Sequence, residues 1–312
     1  MRADNDVSIS LICQSFGYSR QAYYKKVRMI QEEKFKTEIV LKLIKERRKL
    51  MPRVGGKKLY YLLKDDFIKL DYKLGRDRFF EVLREHDLLV KKRKSYVKTT
   101  NSFHRYYVYK NLLIDLEIVR PNQVFVSDIT YIRVAGGFMY LSLVTDLYSR
   151  RIMGWDLSDS LETEGSLRAL TMALSYLDKD DELIHHSDRG VQYCSNDYVR
   201  MLMNNNVKIS MAEQGNPYEN AVAERINGIL KNEFYLDQDF ISNKIAQKST
   251  EQAIETYNNI RPHWSLNLGT PSEWYFQKIA DNNTRNSCLL EKATNQNQSS
   301  SDYTKVANLV NY

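Results

Sequence analysis

The sequence predicts an α/β fold, a mixed five-stranded sheet flanked by helices, preceded by a basic all-helical region. Two observations carry this. Between residues 124 and 210, β-branched and aromatic runs first follow one another as a meander and then alternate with helical stretches. Charge is also divided: residues 1–110 hold 28 Lys and Arg against 13 Asp and Glu, a net of +15, and the remainder holds 18 against 26, a net of −8. A cationic helical front end joined to an acidic body suits a polyanion-binding module coupled to carboxylate chemistry. Nucleic acid is the polyanion that fits a helical module best.

At 312 residues the chain has room for two domains and a large core. Cys13, Cys194 and Cys288 are far apart and in no Cys-x-x-Cys spacing, which argues against a disulfide framework or a structural zinc site and suits a reducing cytoplasm. No apolar run approaches the roughly 18 residues of a membrane span, and the first residues lack the apolar stretch of a signal peptide. A basic membrane-surface helix is disfavoured because no helix sets a broad apolar face opposite its lysines.

In the basic region, a short apolar helix ends near Gly17, and Ser19 is an N-cap for a second that presents Arg20, Gln21, Tyr24 and Lys25. Residues 1–30 therefore read as a helix-turn-helix-like segment whose polar residues reach DNA. Residues 31–95 read as a basic helical DNA-binding domain, with helices over 32–50, 57–64 and 76–89. The run Lys91, Lys92, Arg93, Lys94 can neutralise several phosphates. It opens a linker over 96–115, whose Tyr96, Tyr106 and Tyr107 suit base stacking if strands separate; a merely solvated linker is the alternative.

The body begins with a strand at Val124 that ends at Gly136-Gly137, where the chain reverses. Strands follow over 139–146 and 151–156, then a helix over 163–176, a short strand over 183–186, a helix over 196–204 and a strand over 207–210. A three-strand meander followed by alternating helix and strand is the order seen in RNase H-like domains. Beyond residue 279 the text turns to Asn, Gln, Ser and Thr, the composition of a disordered tail.

Three carboxylates stand out. Asp128 interrupts a strand, where an unpaired carboxylate is costly to bury. Asp188 follows the end of another strand, a common place for ligand and catalytic groups. Glu224 lies in a helix opened by the turn at Asn216-Pro217 and the N-cap Asn220. In that helix Val222, Ile226, Ile229 and Leu230 form an apolar face, and Asn220, Glu224, Asn227 and Lys231 form a polar one. Alone, this pattern is equally that of a surface helix with solvated charges. Three carboxylates on separate elements can converge on hard divalent cations, Mg2+ or Mn2+ rather than Zn2+. His185 and His186, at a strand end, either tune the site, bind a phosphate or are structural.

Asp128-Ile-Thr-Tyr131, His186-Ser-Asp-Arg-Gly-Val-Gln-Tyr193, the stretch Asn216–Glu233 and Tyr257-Asn-Asn-Ile-Arg-Pro-His-Trp-Ser-Leu266 with Thr270-Pro271 form four ordered motifs. They resemble the retroviral-integrase-like DDE transposases of bacterial insertion sequences, in particular the catalytic product of two-frame elements. The 35 residues between Asp188 and Glu224 match the spacing for which that family is named. Phe125 stands where such proteins often have Trp, and Glu219 where Asp is usual.

The resemblance implies that residues 116–278 are an integrase catalytic core. It implies that Asp128, Asp188 and Glu224 are the metal-binding and catalytic triad holding two Mg2+ or Mn2+ ions, and that Lys231 contacts DNA. The implied activity is metal-dependent cleavage of phosphodiesters and 3′-hydroxyl strand transfer, without a Ser or Tyr nucleophile. The implied partners are double-stranded DNA (the terminal inverted repeats of the element and target DNA), further copies of the chain on that DNA, and the upstream-frame product. The implied location is the bacterial cytoplasm, at the nucleoid. Two other readings stay open: a non-enzymatic DNA-binding regulator derived from such a protein, and an RNase H-like nuclease. Arg261 and His263 either touch DNA or belong to a rigid Pro-anchored turn.

Overall fold

A computed structural model describes residues 8–91, 106–178, 181–213 and 221–280. Expectations for Lys92, Arg93, Lys94, Tyr96, the turn at Asn216-Pro217, Asn220, Cys288 and the polar tail lie outside these residues. The chain forms two compact units, Met1–Arg93 and Lys94–Tyr312. Among the described residues, no helix is long and apolar enough to cross a membrane.

In the first unit, serines cap both leading helices, Ser19 as the sequence suggests and Ser8 in addition. Ser8 Oγ accepts from the Leu11 N–H at 3.3 Å to start α1 (Ile9–Ser15), and Ser19 Oγ accepts from the Ala22 N–H at 3.1 Å to start α2 (Arg20–Leu50). The two helices expected after Ser19 are a single one of 31 residues. No Gly or Pro falls between Arg20 and Leu50, so nothing breaks the backbone ladder before Met51-Pro52. Helices α3 (Gly56–Lys69) and α4 (Arg76–Glu85) pack on the second half of α2. Val40, Ile44, Leu59, Leu63, Phe67, Phe79, Val82 and Leu83 are buried there. The first half of α2 buries no residue and carries Arg20, Gln21 and Lys25 exposed; Lys91 is exposed as well.

The second unit opens with the expected meander: β1 (Val124–Val134), β2 (Gly137–Asp146) and β3 (Ile152–Ser158). Gly136, at φ 93°, supplies the left-handed turn between the first two. After α5 (Thr163–Leu174) come β4 (Ile184–Ser187), a single-turn α6 (Val191–Cys194), α7 (Asn196–Asn204) and β5 (Lys208–Met211). The sheet order is β3-β2-β1-β4-β5, antiparallel among the first three and parallel from β1 to β4 to β5. This is the RNase H-like sheet the sequence predicts.

The period-2 alternation of strands gives β1 two different faces. Phe125 points to the side covered by α5 and α7, with Val144, Met153, Ala169, Leu170, Tyr198 and Leu202. Gly154 lets α5 sit close, since a Cβ there would stand 1.9 Å from the carbonyl oxygen of Ala169. Val124 and Val126 point the other way, onto Val222 and Ala223 of α8 (Ala221–Glu233). Val108, Tyr109, Leu113 and Leu116 also pack against these cores, so the described part of the expected linker is integral to the second unit.

Two elements went unforeseen. Helix α9 (Asn243–Asn259) buries mainly small and polar residues, Ala246, Thr250, Ala253 and Thr256, with Ile254 and Tyr257, so its apolar period is faint in the sequence. Near its end the Asn258 amide accepts from the Ile152 N–H at 2.9 Å and donates to the Ile152 C=O at 3.0 Å, pairing with the edge strand β3 as another strand would. Residues 271–280 are also helical, anchored by the Arg151 guanidinium lying over the rings of Tyr176 and Tyr275.

Candidate active site

Sheet register brings the two aspartates together. Strands β1 and β4 pair in parallel from Val124 opposite Ile184 to Ser127 opposite Ser187. One residue further, Asp128 and Asp188 are neighbours on strands about 4.8 Å apart. By alternation both fall on the α8 face. Asp128 Oδ1 accepts from the Ile129 N–H at 2.9 Å, and Asp188 Oδ1 accepts from the Gly190 N–H at 2.9 Å.

Among the described residues neither aspartate forms an ion pair, and both carboxyls hold their protons more tightly than usual. Burial raises Asp128 most, the charge of Asp188 adds to it and Glu224 adds less, while hydrogen bonds from Asn227 and Ile129 oppose; the result is about 7. Asp188 is raised by burial, against the Gly190 hydrogen bond.

Helix α8 runs along this face. The sequence put Asn227 on the polar face of this helix without saying whether it supports the site or faces water; it is buried, because Ala223, Ile226, Asn227 and Leu230 together form the face that meets the sheet. Its Nδ2 donates to Asp128 Oδ2 at 2.7 Å. Glu224, about one turn earlier, is exposed and close enough for its charge to act on Asp128. Among the described residues, no three His, Cys, Asp or Glu side chains are gathered tightly enough to hold a metal ion. The Asp128–Asp188 pair is thus assembled and Glu224 stands beside it. Hard carboxylate oxygens with uncompensated charge fit Mg2+ or Mn2+. Lys231, two turns after Glu224, is half-buried with Nζ 4.2 Å from the centre of the Tyr131 ring.

Both histidines before Asp188 are buried and structural. His185 Nε2 lies 2.7 Å from Ser127 Oγ and 2.9 Å from the Tyr198 hydroxyl, and His186 Nδ1 lies 2.8 Å from Ser210 Oγ. Burial, and then the neighbouring His186, lower the His185 ring to about 3, so it is neutral. The closing motif is a rigid corner. Arg261, buried, forms a two-pronged ion pair with Glu233, the last residue of α8, at 2.8 and 2.9 Å, and His263 Nδ1 lies 2.9 Å from Ser265 Oγ. Sequence reasoning gave no role to Asn227 or Glu233. The signal available was their place in the helix of Glu224, one facing the strand of Asp128 and one ending that helix. In the first unit, Arg20, Gln21 and Lys25 line one surface hollow with Tyr24 and Arg28.

Residues 119–217 match the Integrase core domain family, and residues 205–271 match a second family of the same description. The chain is 35% identical over 280 residues to the uncharacterized 31 kDa protein of insertion element IS600 from Shigella sonnei, covering 86% of this chain and 100% of that one. It is 30% identical over 282 residues to the transposase InsF of insertion sequence IS3A from Escherichia coli K12, covering 88% and 96%. Similar solved structures include the magnesium-bound catalytic core domain of HTLV-2 integrase in its trimeric form (19% identity, 50% of this chain and 98% of that one, TM-score 0.41). The catalytic core domain of BIV integrase is another (13% identity, 52% and 98%, TM-score 0.41). Matched at this identity over nearly the whole length of its relatives, the chain belongs to the integrase-core transposases of bacterial insertion sequences.

Proposed function

We propose that Asp128, Asp188 and Glu224 form the metal-dependent centre with which this transposase cuts the ends of its element and joins the freed 3′-hydroxyls to target DNA. The observation that carries this is the Asp128–Asp188 pair, set side by side by the β1–β4 register and, among the described residues, in no ion pair. Two Mg2+ or Mn2+ ions held there would activate the attacking oxygen and offset charge on the leaving 3′-oxygen. Asp128 and Asp188 supply the fixed ligands, because a strand and a strand end hold them. Glu224 completes the set from α8, at an exposed helix position. Asn227 keeps one Asp128 oxygen oriented. Water attacks phosphorus in the first step and the new 3′-hydroxyl attacks a target phosphodiester in the second; each step releases a 3′-oxygen, and no bond to the protein forms.

The basic first unit, with Arg20, Gln21 and Lys25, together with the run from Lys91 to Lys94 that leads out of it, binds double-stranded DNA at the inverted repeats, and Lys231 contacts DNA near the cut. Joining two ends calls for more than one copy of the chain. The upstream-frame product is a further partner. The intact carboxylates weigh against the regulator reading, and the basic first unit and the closing motif weigh against the nuclease reading.

The test is incubation of purified protein, with and without the upstream-frame product, with labelled element ends and Mg2+. Cleavage that EDTA abolishes is expected. Asp128→Asn, Asp188→Asn and Glu224→Gln should each abolish cleavage while DNA binding persists, and full cleavage by any one of them overturns the assignment.

A further inference from the structure

The turn between β2 and β3 holds a half-buried arginine whose guanidinium has no acceptor among the described residues. Asp146, fully buried, spends its oxygens on this turn: it accepts from the Asn122 N–H at 3.0 Å, the Ser149 N–H at 2.7 Å and the Ser149 hydroxyl at 2.5 Å. Arg150 follows at φ 64°, and its carbonyl accepts from the Tyr257 hydroxyl at 3.1 Å. Its side chain is half-buried, Nη1 is enclosed without a partner, and among the described residues the guanidinium has no hydrogen-bond or ion-pair acceptor. An enclosed guanidinium, always charged, with open donors calls for an anion.

A second arginine lies close enough for its charge to act on Arg150. Leu147 of this turn packs against the small core of Val124, Val126 and Ala223, which Val222 also covers, so the turn borders the first turn of α8. Arg225, the next residue but one after Ala223, is exposed and likewise without a partner among the described residues. Burial lowers the proton affinity of Arg150, and the like charge of Arg225 lowers it further, against Tyr257 and Asp146. The nearby carboxylate of Glu233 is committed to Arg261.

We propose that Arg150 and Arg225 form a subsite for one backbone phosphate of bound DNA, separate from the phosphate that is cut. The separation follows from helix geometry. Arg225 and Asn227 are two residues apart, about 200° around α8, and Asn227 is the one that touches Asp128. The subsite therefore grips DNA beside the reacting strand and sets its path over α8. This rests on the reading of the protein as a DNA-acting transposase, but not on its metal chemistry.

The test measures duplex binding in EDTA across a salt series, so cleavage plays no part. For Arg225→Gln the slope of log Kd against log salt should become shallower by about 1, the loss of one phosphate contact. Lys208→Gln, the same charge loss at the start of β5, should leave the slope unchanged. Arg225→Glu places an acceptor beside Arg150, so it should weaken DNA binding and raise the Tm of the DNA-free protein. An unchanged slope for Arg225→Gln, or a lower Tm for Arg225→Glu, overturns the subsite. If orthophosphate raises the Tm of the wild type but not of Arg225→Gln, and the slope stays the same, the pair is a free-anion site and the backbone contact is overturned. Absence of duplex binding by the wild type would instead overturn the DNA reading itself.

Discussion

Asn227 donates to Asp128 across 2.7 Å while its own carbonyl oxygen is buried without a partner. This one bond fixes a carboxylate oxygen and the register of α8 over β1, and with it the position of Glu224. Removing such a supporting group from a metal site typically lowers affinity or activity about 10–100-fold. We therefore expect Asn227→Ala to slow cleavage by about tenfold or more and to move half-maximal Mg2+ to higher concentration, with binding of DNA in EDTA unaltered. An unchanged Mg2+ dependence would reduce Asn227 to a packing residue.

The metal-free protein should lose stability as pH rises. Asp128 titrates near 7 when folded and near 3.8 when unfolded, so between those values the folded state holds a proton that the unfolded state has released. Stability conferred by that proton is full below about pH 4 and lost by about pH 7, an effect on the order of 2–4 kcal/mol once partial solvent access is allowed for. In EDTA, Tm should therefore fall across this window by more in the wild type than in Asp128→Asn. The introduced amide needs no proton, and the free Asn227 carbonyl oxygen can accept from it. Mg2+ should restore the wild type at the upper end. Equal pH profiles for the two proteins would show that Asp128 is not under strain.

The strands of the core, and the nearness of Asp128 to Asp188 that their register brings about, were legible because their signals are local: β-branched runs, glycines at the hairpin, and fixed motifs. Helix α9 was not, since its buried residues are largely Ala and Thr and its key contact is one amide on a strand edge. The burial of Asn227 was not legible for a related reason. The apolar residues of α8 describe a face centred near Ile226 and Leu230, and only the presence of Asp128 on the opposing strand makes burial of an amide there favourable. The merger of two expected helices into α2 was readable in retrospect from the absence of Gly and Pro.

Arg261 closes the far end of the same helix through Glu233, and both side chains are largely removed from water. Breaking one side of such a pair leaves an uncompensated charge, at about 3–5 kcal/mol. Arg261→Met should therefore lower stability by that order in urea unfolding and slow cleavage. Replacing both partners, Arg261→Met with Glu233→Leu, should recover most of the stability. A double variant as unstable as the single one would mean that Arg261 acts through contacts other than Glu233.

Lys231 rests its ammonium over Tyr131, three residues along the strand from Asp128. A cation held against an aromatic face is partly desolvated and restricted in its rotamers, so less order is lost when it meets a phosphate. Lys231→Ala should reduce strand transfer from pre-cut ends several-fold and make end binding less salt-sensitive by about one unit of slope. Lys231→Arg, which keeps both the charge and the stacking, should retain most of the activity. Tyr131→Leu removes the platform and leaves the charge, so it should weaken transfer less than Lys231→Ala. Strand transfer by Lys231→Ala at the wild-type level would take this lysine out of the DNA path and leave it as a cover for Tyr131.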